Sequence, residues 1–250
     1  PFFLMIRRRP RSTALYSSAA SDVFKRQLRD LVGPIPKAAS FVEACTMVTV
    51  FTTVDVAMCH AGSLPSTRKQ PVLVHSAAGG IGLAACQVIH ALGGEMWATA
   101  GSSLKRHLLR SMGVQHVVSS RSTKYADLAQ TAYNGRVEGM GLILNSLTSS
   151  GMVGASLSCL HPGGQLVEIG KRDIWSAPGV HLERPDVVYS LLAVDFLPPA
   201  RTHQALCRLA GGIAEGAVVG LRSTSHALNS VQAALASMAG AVSYTHLRAH

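Results

Sequence analysis

Between Pro71 and Gly94 the chain reads Pro-Val-Leu-Val-His-Ser-Ala-Ala-Gly-Gly-Ile-Gly-Leu-Ala-Ala-Cys-Gln-Val-Ile-His-Ala-Leu-Gly-Gly, an apolar run that meets a glycine-rich turn and then a helical repeat. Val72, Leu73 and Val74 are β-formers without polar alternation, the pattern of a parallel strand covered on both faces. Ala77, Ala78, Gly79, Gly80 and Gly82 lack bulky side chains, so the backbone can turn sharply and approach a ligand closely. From Ile81 onward Ala84, Ala85, Val88, Ile89 and Leu92 recur at helical spacing. The start of that helix, with its free N–H groups and positive dipole end, therefore faces the loop, which is the geometry of a phosphate cradle. The loop departs from G-x-G-x-x-G because Ala77 stands at the first glycine position, and an ordinary strand-to-helix turn would use the same residues. Ala78, Gly79, Gly80, Ile81 and Gly82 are the candidate phosphate-loop contacts.

The rest of the chain repeats the alternation. Strands are predicted over Glu95–Ala100, Val114–Val118, Gly141–Asn145, Gln165–Ile169 and Val187–Val194, with helices over Leu104–Met112, Tyr125–Ala132 and Met152–Leu160 and a tight turn at Pro162-Gly163-Gly164. Strands alternating with helices of this length form a parallel, doubly wound α/β sheet of the Rossmann type. Upstream, Leu31–Pro36 reads as a short strand and proline turn. Ser40 and Glu43 then have capping-box spacing before a helical repeat of Phe41, Ala44, Cys45, Val48 and Phe51. Two further helical stretches, around Gln204–Ala214 and Ala227–Met238, close the chain.

With 250 residues and 48% hydrophobic content the chain can bury a full core. The net charge of +10 raises the question of nucleic acid, but half of the excess sits on Arg7, Arg8, Arg9, Arg11 and Arg248, and no dense basic patch remains between them. Neither nucleic acid nor a membrane is expected as a partner, since no stretch of about 18 residues is continuously apolar and free of charge. Five cysteines show no C-x-x-C pair and read as reduced, structural thiols, and no H-E-x-x-H or Cys/His cluster suggests zinc. No metal ligand is assigned. The first residues and the terminal Ser243–His250 resemble translated linker or adapter sequence, so localisation is left at a cytoplasmic default.

Residues just past each strand carry the chemistry of such a sheet. Past the second strand, an NAD-selective site places an acid about 20 residues beyond the glycines. Here that region reads Thr-Ala-Gly-Ser-Ser-Leu-Lys-Arg from Thr99 to Arg106. Ser102, Lys105 and Arg106 offer a hydroxyl and cations for a 2′-phosphate, which points to NADPH; a solvated Lys-Arg pair on a helix is the alternative. Three later strands end in Asn145, in Gly170-Lys171-Arg172-Asp173 and in Asp195, all on one sheet edge. Lys171 beside a carboxylate over the nicotinamide crevice could serve as a proton donor with Asp195 as its partner, although a lysine after a strand is also a common surface residue. His75, at the end of the first strand, is expected to be packed or hydrogen-bonded.

Val74–Ala85, Ser119-Ser-Arg-Ser, Leu144-Asn-Ser-Leu147, Leu166-Val-Glu-Ile-Gly-Lys-Arg-Asp173 and Leu192-Ala-Val-Asp195 together closely resemble the enoyl reductase domain of modular polyketide synthases. That domain is a zinc-free medium-chain dehydrogenase/reductase, similar to quinone oxidoreductases. The resemblance runs from about Leu31 to Ala241. It implies NADPH-dependent reduction of the α,β-double bond of an enoyl chain held as a thioester on an acyl carrier protein, with hydride going to Cβ and a proton to Cα. It further implies proton handling by Lys171 and Asp195, 2′-phosphate contacts by Ser102, Lys105 and Ser120, and Thr53 and Asn145 near the nicotinamide, with Gly170 in the cofactor-binding turn. Many members carry tyrosine in the stretch Thr53-Val-Asp-Val-Ala57, where this chain has none.

Family members also begin with a GroES-like substrate domain of about 100 residues or more. The expected organisation is therefore 1–30 non-native or disordered, 31–70 a remnant of the substrate domain with a linking helix, 71–197 the NADPH-binding domain, 198–241 a return segment, and 242–250 a non-native tail. Neighbouring synthase domains are implied as partners, with a homodimer left open. A free-standing quinone oxidoreductase and a non-catalytic NADPH-binding fragment are the alternatives.

Overall fold

The computed structural model describes residues 3–5, 31–60, 70–132 and 139–239. The expected tail, 242–250, lies outside the described residues, as does most of 1–30, of which only Phe3–Met5 is described. That segment, β1, pairs antiparallel with β2, Val32–Pro34. Next comes α1, Phe41–His60. Its start is closed by the predicted capping box: the Ser40 N–H donates to Glu43 Oε2 at 2.8 Å and the Glu43 N–H donates to Ser40 Oγ at 3.2 Å.

The α/β expectation holds. β3, Val72–Val74, is followed by α2, Gly80–Ala91; β4, Met96–Ala100, by α3, Ser103–Ser111; and β5, His116–Ser119, by α4, Lys124–Ala132. Then come β6, Met140–Asn145; α5, Met152–Cys159; β7, Leu160–Glu168; α6, Ala177–Glu183; and β8, Val188–Leu191. The chain continues through a 3₁₀ turn, Val194–Phe196, to α7, Pro199–Ala214, and ends its described part with α8, Val231–Ala239.

The six strands β3 to β8 form one parallel sheet in the order β5-β4-β3-β6-β7-β8. Alternate residues of the central strands feed opposite layers. Val72, Val74, Leu142 and Leu144 join a core with α1 and α2, whereas Leu73, Met140, Ile143 and Leu166 join one with Tyr125, Leu157 and Trp97. Burial on both faces is why these strands are apolar throughout. The order reverses between β3 and β6, so the ligand crevice of such a sheet lies at the carboxyl ends of those two strands.

Two sequence expectations shift. Pro162-Gly163-Gly164 is not a separate turn but an irregular stretch inside β7. The register steps from Met140↔Leu160 to Leu142↔Gln165, so β7 loops out residues that β6 does not match, helped by Gly163 at φ +79°. The sixth strand is shorter than predicted, because the chain leaves the sheet after Leu191, and Asp195 sits on the 3₁₀ turn. Phe41–Cys59 is by length and composition long and apolar enough to cross a membrane, yet 56% of it is buried in this fold, against α2 and α7. α1 and α7 are pinned by a forked ion pair, Arg208 Nε and Nη2 to the Asp55 carboxylate at 2.8 and 2.7 Å.

Candidate functional site

The loop after β3 is shaped by backbone bonds. Ala77 N–H donates to the Thr99 carbonyl at 2.8 Å, tying the loop to β4, and Gly79 N–H donates to the Ser76 carbonyl at 2.9 Å. The left-handed conformation the turn requires falls on Ser76, φ +52°, which is why alanine is tolerated at position 77. Gly79 caps α2 without any side-chain acceptor, so the first N–H groups of that helix, from Gly80, Ile81 and Gly82, remain open at its positive end. Ala77 and Ala78 are buried beneath them. At Gly82 a Cβ would stand 2.3 Å from the Ala77 backbone. Gly82→Ala is therefore expected to destabilise the fold by about 3 kcal/mol, read by denaturant unfolding, because α2 must lift off the loop at Ala77 to make room. An unchanged midpoint would show that the contact relaxes freely.

A buried polar network supports the loop from below. His75 Nδ1 lies 3.0 Å from Thr99 Oγ1 and its Nε2 lies 2.9 Å from Ser156 Oγ, which in turn meets Tyr125 Oη at 3.0 Å. Tyr125 also donates to the Met152 carbonyl at 2.9 Å and packs edge-on against His75. The expectation of a packed, hydrogen-bonded histidine holds. Burial pushes the His75 pKa down to about 3, so the ring stays neutral. Unfolded histidine gains a proton near pH 6.5 while the folded one does not, so stability falls as pH drops from about 6.5 toward 3, by up to about 1.4 kcal/mol per pH unit. His75→Gln should flatten that limb in urea midpoints measured across the range; an unaltered slope would place the acid sensitivity elsewhere.

At the adenosine end, Ser102 is the N-cap of α3, its Oγ accepting the Lys105 N–H at 3.3 Å and keeping its own proton to donate. Arg106 donates to the Ala100 carbonyl at 3.2 Å, so it is committed to the protein, whereas the half-buried Lys105 has no side-chain partner among the described residues. Ser120 Oγ and Arg121 Nε crowd Gly101, standing 3.5 and 3.7 Å from where a Cβ would be, and so join Ser102 at the end of β4. Sequence reasoning passed over Arg121, although it lies in the Ser119-Ser-Arg-Ser motif. No carboxylate from this strand end competes with the cations.

At the carboxyl end of β6 and on α1 the polar side chains are held by the protein itself. Asn145 is fully buried, with Nδ2 donating to Glu168 Oε2 at 2.5 Å and to the Leu147 carbonyl at 3.3 Å, and Oδ1 accepting the Leu147 N–H at 3.3 Å. Its amide is thus taken up by the protein. Thr53 is buried on α1 with its hydroxyl donated to the Thr49 carbonyl at 2.7 Å, and is taken up as well. Two buried hydroxyls, Ser146 Oγ just past β6 and Thr52 Oγ1 on α1, have no hydrogen-bond partner among the described residues. Gly170 N–H donates to Glu168 Oε1 at 2.6 Å. Lys171 Nζ stands 3.3 Å from Asp195 Oδ2, bringing together the two candidates 24 residues apart, and both side chains are largely exposed. An exposed pair of this kind contributes about 0–1 kcal/mol to stability, so it is not there to hold the fold. Among the described residues no group of three or more His, Cys, Asp or Glu side chains could hold a metal ion.

These groups fit a dinucleotide: an open helix terminus for the pyrophosphate, cations at the adenosine end, and an unpartnered hydroxyl past β6. Residues 80–194 match the family model described as zinc-binding dehydrogenase. The chain is 33% identical over 217 residues to a phenolphthiocerol/phthiocerol polyketide synthase polypeptide of Mycobacterium tuberculosis, covering 85% of this chain and 10% of that protein. Its fold is similar to the CurK enoyl reductase, with a TM-score of 0.74 at 33% identity over 85% of this chain and 63% of that one. It is also similar to the nucleotide-binding subdomain of the enoylreductase domain of PpsC from Mycobacterium tuberculosis, with a TM-score of 0.55 at 31% identity over 67% of this chain and 98% of that one. The chain spans about a tenth of the length of the curated relative and under two thirds of the CurK domain. The open phosphate loop, the strand order and these likenesses agree: the chain belongs to the polyketide synthase enoyl reductase family of medium-chain dehydrogenases/reductases, and carries its nucleotide-binding fold.

Proposed function

We propose that this chain is the NADPH-binding part of an enoyl reductase that saturates the α,β-double bond of an acyl-carrier-protein-bound enoyl thioester within a multidomain synthase. The observation that carries this reading is the Lys171–Asp195 pair, 3.3 Å apart on the sheet edge that also bears the open phosphate loop. When bound, NADPH supplies the hydride that Cβ accepts. The chain's own residues do the rest. The α2 terminus binds the pyrophosphate; Ser102, Lys105, Ser120 and Arg121 bind the adenosine 2′-phosphate. Lys171, oriented by Asp195 at 3.3 Å, gives its proton to Cα and recovers it from the solvent to which it is open, so that one hydride and one proton convert C=C to CH–CH. The forked Arg208 bond holds the Asp55 carboxylate against α7 and so takes it out of the proton path.

Mixing the 250-residue chain with NADPH should give saturable binding by cofactor fluorescence. Turnover of a crotonyl thioester should be slow, since the chain spans only 63% of the CurK enoyl reductase. Rapid turnover by this chain alone would refute that expectation, and absence of NADPH binding would refute the cofactor.

A further inference from the structure

Glu168 is an acidic residue at the buried carboxyl end of β7, directly after the buried Leu166 and Val167. It is 1% exposed, and among the described residues no lysine or arginine pairs with it. A carboxyl group so placed costs free energy unless every oxygen is satisfied. It is satisfied by two groups that belong to the nicotinamide end: Oε2 takes the Asn145 amide from β6 at 2.5 Å, and Oε1 takes the Gly170 N–H at 2.6 Å. Burial still pushes its pKa up, against the hydrogen bonds that lower it. Asn145 passes the constraint on, since the same amide group holds the Leu147 N–H and carbonyl, and the intervening Ser146 carries the unpartnered hydroxyl. Gly170 is required beside it, because a Cβ there would stand 2.6 Å from Glu168 Oε1 and 3.1 Å from Thr148 Cγ2.

We infer that Glu168 is a positioning residue: with Asn145 and Gly170 it clamps the carboxyl ends of β6 and β7 into the surface that receives the nicotinamide half of the cofactor, and sets the turn that presents Lys171. Asn145 is then a strut of the pocket and not a ligand of the nicotinamide. The inference rests on the cofactor reading above.

The test compares two ligands on the 250-residue chain: NADPH, and adenosine 2′,5′-bisphosphate, which has the adenosine end but no nicotinamide. Glu168→Gln turns an acceptor into a donor facing Asn145 Nδ2. It should weaken NADPH about tenfold, the scale of a lost hydrogen bond to a charged group, and leave the bisphosphate within about twofold. Combining Asn145→Asp with Glu168→Gln rebuilds the pair with its polarity reversed. The amide introduced on β7 donates to the carboxylate introduced on β6, while its carbonyl still accepts the Gly170 N–H. This swap should recover part of the lost NADPH affinity, since the aspartate introduced at 145 cannot donate to the Leu147 carbonyl as the Asn145 amide does. Gly170→Ala, which attacks the clamp from its other side, should reproduce the selective loss and carries the test should Glu168→Gln alone not fold. Equal loss of both ligands, no loss of NADPH, or a swap no better than the single change would each overturn the clamp. A wild-type chain that binds neither ligand would overturn the cofactor reading instead.

Discussion

In an enoyl reductase domain that carries this chain with its complete substrate half, Lys171→Ala lowers the rate at saturating thioester by about 10²–10⁴-fold, the usual contribution of a positioned general acid. NADPH affinity changes little, because Lys171 follows β7, two strands from β3 and three from β4 in the sheet, and its ammonium faces Asp195 at 3.3 Å. Asp195→Asn acts in the same direction but less, since its proposed role is to orient the lysine. The double variant loses less than the product of the two effects, as expected of residues that act as a unit. Protein stability barely moves in any of the three, an exposed ion pair contributing so little to the fold. Full activity in Lys171→Ala, or a loss confined to NADPH binding, removes the lysine from the proton path.

Lys105→Glu weakens NADPH roughly 10²-fold while NADH binding stays close to its original value, because the change removes an attraction for the 2′-phosphate and adds a repulsion. The fold itself should tolerate or welcome the change. Ser102 is the N-cap of α3 and accepts the Lys105 N–H, so position 105 is the third residue of the helix. A glutamate there completes a capping box with Ser102 and meets the positive end of the helix dipole. An unfolding midpoint at or above that of the parent therefore separates ligand loss from structural damage. Equal weakening of NADPH and NADH would take Lys105 out of the 2′-phosphate site and leave Ser120 and Arg121 to define it.

Elements whose logic is local were legible from the residues. The central strands declared themselves by continuous apolar runs, the start of α1 by Ser40 and Glu43, and the phosphate cradle by small residues between a strand and a helix. Features that depend on pairing between distant segments were not. The irregular stretch at Pro162-Gly163-Gly164 follows from the register that β7 must keep with β6, and nothing in those residues distinguishes it from a turn. Asp195 sits on a 3₁₀ turn because the sheet contact of β8 ends at Leu191. Glu168 escaped notice, although one acid inside Leu166-Val-Glu-Ile is the very signal that a buried partner exists.

The sequence by itself determined a doubly wound parallel sheet with a nucleotide loop after β3, since burial on both faces and close backbone approach at Gly82 restrict which residue types can stand there. Only the tertiary structure decided which polar groups are consumed within the protein and which are left for a ligand. Asn145, Thr53 and Arg106 look as available in the sequence as Lys105, yet they are engaged by Glu168 and by the carbonyls of Thr49 and Ala100, as Lys171 is by Asp195. The physical reason is that residue type sets what a side chain can bond, whereas the distance to a partner, which the fold alone supplies, sets whether that capacity is already taken.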